Sequence, residues 1–174
     1  MDFLLNPVIY TSLRLAHIVF GLVWVGFGIA TAFVIHPMAS NAREGGDKAL
    51  RMFYGYSAYN KIFPIAAIVT TLAGVILWLA LADGASLIGY SDTGNLAMAT
   101  GAVAGLLAFG HGAGATGRFS AVFARLARAV EEGNAEAGNA EITEARSKLF
   151  LHGNISAVLT LIAVVLMASA SSLG

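Results

Sequence analysis

Four histidines are the residues of this chain best suited to chemistry. His17, His36, His111 and His152 lie in, or at the edge of, long stretches without Asp, Glu, Lys or Arg. Neutral imidazole is a strong ligand for metal ions and haem iron, and an ionisable group inside a membrane is a functional candidate by default. On a helix, His17 shares its face with Gly21, Trp24 and Gly28, because positions three or four apart fall on one side. Two missing side chains beside an indole make a flat slot that a porphyrin edge fits, and so does a neighbouring helix. His111 keeps Ala104, Leu107, Ala108 and Ala115 on its face, and His152 is followed by Ser156 and Thr160. His36 precedes Pro37 and Met38. Its plain reading is an interfacial histidine, and its sharper one is a copper or zinc site shared with His111 and His152, where the soft sulfur of Met38 favours copper.

The elements that must position these rings are apolar helices. The stretches Leu15–His36, Ile62–Ala82, Leu96–Gly117 and Leu149–Leu173 carry no Asp, Glu, Lys or Arg. At 1.5 Å rise per residue, about 20 residues cross a hydrocarbon core of about 30 Å. The composition agrees, with 57 % hydrophobic and 11 % charged residues and a mean hydropathy of +0.76. The expected fold is all-α: an integral membrane antiparallel four-helix bundle with spans at about 11–36, 62–82, 96–117 and 149–173, forming one membrane domain over residues 1–174. Counted along antiparallel helices, His111 and His152 differ in depth by only about 5 Å, as two axial imidazoles of one haem in a bundle core must.

The formal net charge of zero hides an asymmetry. Arg43, Lys48, Arg51 and Lys61 lie between spans 1 and 2, and Arg118, Arg125, Arg128, Arg146 and Lys148 between spans 3 and 4, leaving Arg14 alone on the other face. The positive-inside rule then puts both loops in the cytoplasm and both termini outside. The N-terminal MDFLLNPVIY has no basic leader or cleavage site, so span 1 reads as retained. Phe53, Tyr54, Tyr56 and Tyr59 cluster at the inner border, with Tyr10 and Tyr90 at the outer one. Between spans 2 and 3, Asp83–Asn95 reads as a short turn with Gly84, Gly89, Asp92 and Gly94. The amphipathic segment Arg118–Val130 is either an extension of span 3 or a helix on the lipid surface, and Gly133–Lys148 reads as a solvated turn.

Several chemistries are excluded. The absence of cysteine removes disulfides and thiolate ligation. There is no G-x-S-x-G and no phosphate-cradling loop with Lys. No carboxylate lies within a span, so a proton-driven carrier would lack its usual relay groups.

The run LRLAHIVFGLVWVGFGIATAFVIHP, with His17, Trp24, Gly26 and His36, resembles the first helix of the HemJ-type protoporphyrinogen oxidases and CopD-like copper proteins. FPIAAIVTTLAG (Pro64, Thr70, Gly74) and AFGHGAGATGRF (His111, Gly117, Arg118) continue the resemblance across most of the chain. HemJ-type proteins carry an Arg late in the first helix, where Ala30, Thr31, Ala32 and Phe33 stand here, and a Lys early in the third, where this chain has Thr100. The missing cations remove partners for porphyrin carboxylates. The resemblance therefore implies haem binding more than protoporphyrinogen oxidation, and His152 supplies a second axial ligand.

The expectation is a multi-pass protein of the bacterial inner (plasma) membrane that binds haem b and acts in electron transfer or as a redox subunit. His111 and His152 would ligate the iron, and His17 with Trp24 would line the pocket or a second haem site. If it is an enzyme, it is a haem-dependent oxidoreductase. The alternatives are a copper-binding or copper-transport protein using His36, Met38, His111 and His152, and an accessory subunit of a larger membrane complex. Expected partners are haem, a quinone or a redox protein, and lipid, with no nucleic acid; the chain forms a homo-oligomer or joins a larger complex.

Overall fold

A helix starts where a cap satisfies its first amides. Here the Asn6 side chain accepts from the Val8 N–H at 3.0 Å, and Pro7 occupies the first helical position, where its missing N–H costs nothing. The computed structural model describes residues 6–81, 93–133 and 139–173. Among them the chain is helical: α1 (Pro7–Ala30), α2 (His36–Asn41), α3 (Arg43–Tyr56), α4 (Tyr59–Leu81), α5 (Thr93–His111), α6 (Gly117–Glu131) and α7 (Asn139–Leu173). Two π-helical turns, Thr31–Ile35 and Gly112–Thr116, join α1 to α2 and α5 to α6 without a break.

Four continuous helices are long and apolar enough to cross a membrane: Pro7–Asn41, Tyr59–Ala80, Thr93–Glu131 and Ala140–Leu173. Their large side chains point outward, with Leu22 70 % and Leu72 59 % exposed. In water such apolar surface would drive association; in a bilayer it faces acyl chains. Small residues line the contacts instead, since without a hydrophobic drive helices associate through close packing. At Gly101 an added Cβ would meet Met167 Cγ at 2.8 Å and the Ala163 carbonyl at 3.1 Å, so α5 and α7 touch nearly backbone to backbone.

Both π turns have local causes. Pro37 has no N–H to offer and its ring crowds the carbonyl four residues back. The preceding turn widens, and His36 N–H bonds to the Thr31 carbonyl. In the second, Gly112 and Gly117 approach closely: a Cβ at Gly117 would lie 3.3 Å from the Gly112 carbonyl that its own N–H bonds. Each π turn absorbs about one extra residue and turns everything beyond it by roughly 100°.

The end of the protein that carries both longer connections, called the basic end below, has its own core. Leu50 and Tyr54 of α3, Phe123 and Leu126 of α6, and Ala145 and Leu149 of α7 pack there with Tyr59. Arg51 pairs with Glu131 at 2.7 Å, and Arg146 pairs with Asp47. This packing decides one open alternative and corrects one expectation. Arg118–Val130 continues span 3 rather than lying on the lipid surface, because its apolar stripe is covered by α3 and α7. Residues 139–148, expected in a solvated turn, are helical because Ala145 and Leu149 are needed in that core. Gly94, expected in a turn, is buried within α5. The rest of the expected turn up to Asp92, with Gly84, Gly89 and Tyr90, lies outside the described residues.

Candidate functional site: a histidine pair and a buried polar cavity

The last residue of α5 and the middle of α7 bring His111 and His152 together. The His111 Nε2 and His152 Nδ1 atoms stand 3.2 Å apart, with ring centroids at 5.2 Å and planes tilted by 45°. The other nitrogen of His111, Nδ1, lies 2.9 Å from Ser156 Oγ, which is itself 3.0 Å from Thr116 Oγ1. When His111 Nδ1–H donates to Ser156, Nε2 keeps its lone pair and accepts from His152 Nδ1–H; outer hydrogen bonds of this kind fix the tautomer of metal-ligating histidines. Thr160 donates to the Ser156 carbonyl at 2.7 Å. Phe119 stacks on the His152 ring at 5.1 Å and 10°, fixing its plane. Both imidazoles are half-buried, reachable from the lipid or headgroup side.

Bis-imidazole haem ligation sets a spacing of its own. Trans axial imidazoles each sit about 2.0 Å from the metal, so their nitrogens are about 4 Å apart with a porphyrin plane between them. Here the two rings touch and no plane passes between them, so the pair as placed does not fit a haem. Two ligands of one ion at a tetrahedral angle, with bonds of 2.0–2.1 Å, place their nitrogens roughly 3.3 Å apart. The observed separation matches that arrangement and equally the N–H···N hydrogen bond that the two rings form.

His36 does not join the pair. It is 2 % exposed, stacked on Phe150 at 3.9 Å and 12°, and its Nε2 lies 2.9 Å from the Tyr54 hydroxyl. Among the described residues no group of three His, Asp or Glu is placed to hold a metal, and Met38 is exposed. His36 thus packs between helices at the inner end of span 1, and among the described residues it forms no three-membered ligand group with His111 and His152. The cause is the π turn before Pro37, which rotates His36 into the helix interface.

His17 and Trp24 occupy another level. His17 Nδ1 donates to the Thr70 carbonyl at 2.8 Å, and its ring lies where a Cβ on Gly74 would sit, 2.7 Å from Cε1. The slot beside it is filled by α4: Thr70 Cγ2 stands 3.5 Å from a Cβ built on Gly21, and Phe63 stands 3.9 Å from one on Gly28. A neighbouring helix covers this face at His17 and Gly21, while Trp24 and Gly28 also line a small cavity toward the basic end. Trp24 is buried, edge-on to Phe109 at 6.4 Å.

Sequence reasoning missed Tyr54, Thr31, Thr116 and the role of the π turns. Thr31, Thr116, Ser156 and Thr160 line a small, partly open cavity of about 30 Å³ with His36, Tyr54 and Tyr59. That is room for one water, which needs several polar partners of the kind found here. Burial pushes the Tyr54 phenol well above its ordinary value of 10 and keeps it a neutral donor. A signal was present: polar residues at Thr31, Thr116, Ser156 and Thr160 in otherwise apolar runs.

Compared with known protein families, curated proteins and solved structures, the chain matches none.

Proposed function

We propose that this protein binds copper at the basic face of a membrane through His111 and His152. The observation that carries the reading is a pair of facing imidazole nitrogens 3.2 Å apart, close enough to share one ion once the proton of the hydrogen bond between them is displaced. Imidazole suits copper among other first-row metals, and Cu²⁺ stands at the top of the divalent affinity order; its tetragonal preference would draw the two nitrogens somewhat closer than 3.2 Å on binding. Ser156 orients His111, and Phe119 orients His152. Two protein ligands leave coordination positions open, which suits exchange with a carrier better than permanent storage. The pair is half-exposed, so such a carrier can reach it.

The spans are read as antiparallel, because Gly101 meets Ala163 while His111 meets His152. The charge asymmetry then puts the site on the cytoplasmic side of a bacterial plasma membrane, with both termini outside. The test is metal content and absorption of protein purified from copper-supplemented cells. About one copper per chain, lost in His111→Ala and in His152→Ala but kept in His36→Ala, supports the reading. A Soret band of low-spin haem at full occupancy, or copper retained in the variant lacking both histidines, contradicts it.

A further inference from the structure

Spans 2 and 3 follow one another in sequence yet barely touch: α4 packs on α1, and α5 packs on α7. Between them runs a groove of about 500 Å³, within the range of ligand sites. Its lining follows α5 and α6 from Phe109 to Arg128 and α4 from Tyr59 to Ile68, so it runs from within the apolar spans to the basic end. Ala113, Gly117 and Ala121 make the floor shallow-sided, and Trp24, Phe109 and Ile68 close its deep end.

The groove is polar only toward the basic end, and there it carries one sign of charge. No carboxylate lines it. Asn60 and Ser120 satisfy each other, with Ser120 Oγ donating to Asn60 Oδ1 at 2.9 Å, while the Asn60 amide donates to the Tyr54 carbonyl. Arg128 uses Nη1 on the Gly55 carbonyl at 3.2 Å and, among the described residues, makes no ion pair. Its remaining donors stand at the rim, exposed, in the planar fork that matches a phosphate. An apolar trough that opens sideways and ends at a guanidinium with donors to spare is complementary to a chain with an anionic head.

We infer that this groove is a binding site for an anionic phospholipid, one acyl chain lying between spans 2 and 3 and the headgroup phosphate held by Arg128. Basic pockets between membrane helices recognise anionic headgroups in this way. The lipid fills the space where α4 and α5 barely meet and covers the outer wall of the polar cavity, since Trp24, Tyr59 and Thr116 line both spaces. The inference is independent of the metal at His111 and His152.

Trp24 is the reporter, because the chain has two tryptophans and Trp78→Phe leaves it alone. Full-length Trp78→Phe protein in neutral detergent is titrated with phosphatidylglycerol bearing brominated acyl chains, and separately with the phosphatidylcholine of the same chains. The expected result is saturable quenching with a midpoint at least about fivefold lower for phosphatidylglycerol. Arg128→Gln should raise that midpoint to the phosphatidylcholine value. Ala121→Leu, which fills the exposed trough without touching the core, should remove saturable quenching by both; Ala113→Leu serves if the first variant does not fold by circular dichroism. Equal midpoints for the two lipids, unchanged quenching in the folded filled-groove variant, or a brominated fatty acid binding more tightly than phosphatidylglycerol would each overturn the assignment.

Discussion

Tyr54 and His36 form a hydrogen bond sealed from solvent, and each depends on the other. Removing the hydroxyl in Tyr54→Phe leaves His36 Nε2 buried without its partner at 2.9 Å, a loss of about 1–3 kcal/mol, whereas a bond exchanged for water would cost less. Thermal unfolding of Tyr54→Phe in detergent should show this drop. The same variant carries a pH signature. The folded phenol is raised above its ordinary value of 10, so the stability it contributes is complete below pH 10 and is lost as pH rises beyond it. Wild-type protein should lose stability above that pH, and Tyr54→Phe should lose less. At this scale the sequence was partly legible. It showed that His111 and His152 share a level, because depth follows from counting residues. It did not show that their rings touch, because contact depends on rotation about each helix. Nor did it show the burial of His36, because a histidine beside Pro37 at the end of a span looks interfacial.

The elements were read well in existence and less well in extent. Uncharged runs of about 20 residues leave little choice but a helix that spans, and all four are present. What failed was the phase along them. Counting from His17 at a steady 3.6 residues per turn puts His36 about 100° away. The π turn at Thr31–Ile35 absorbs that offset and brings both onto the packed side. The ends were misjudged for another reason: α6 and the start of α7 are held by a core beyond the spans, in which Phe123, Ala145 and Leu149 meet α3. Local polarity alone cannot reveal such a core. Glycines now separate into those that hold contacts and those that do not. Gly74 faces the His17 ring, where a Cβ would lie 2.7 Å from Cε1, so Gly74→Ala should cost about 1–3 kcal/mol by overpacking. Gly45 has nothing within 4 Å, and Gly45→Ala should stabilise α3 by up to about 1 kcal/mol through helix propensity. Melting temperatures of the two variants moving in opposite directions would bear this out; equal shifts would contradict it.

At the scale of the whole molecule, composition announced the membrane, and the large outward-facing side chains accord with it. Orientation rests on nine of ten cations gathered at one end, a bias that the positive-inside rule converts into sidedness. Cysteine introduced at Glu132 and at Ser172, both exposed, is a clean test because the chain has none of its own. In intact cells with a permeabilised outer layer, an impermeant thiol reagent should label the cysteine at Ser172 and spare the one at Glu132. The reverse pattern would invert the molecule and move the histidine pair to the outer face. The pair itself remains the central claim, and X-ray absorption at the copper edge of the loaded protein tests it most directly. The account predicts imidazole scattering from two nitrogen ligands at about 2.0 Å, falling to one in His152→Ala. A spectrum without imidazole scattering, or one unchanged in His152→Ala, would contradict it.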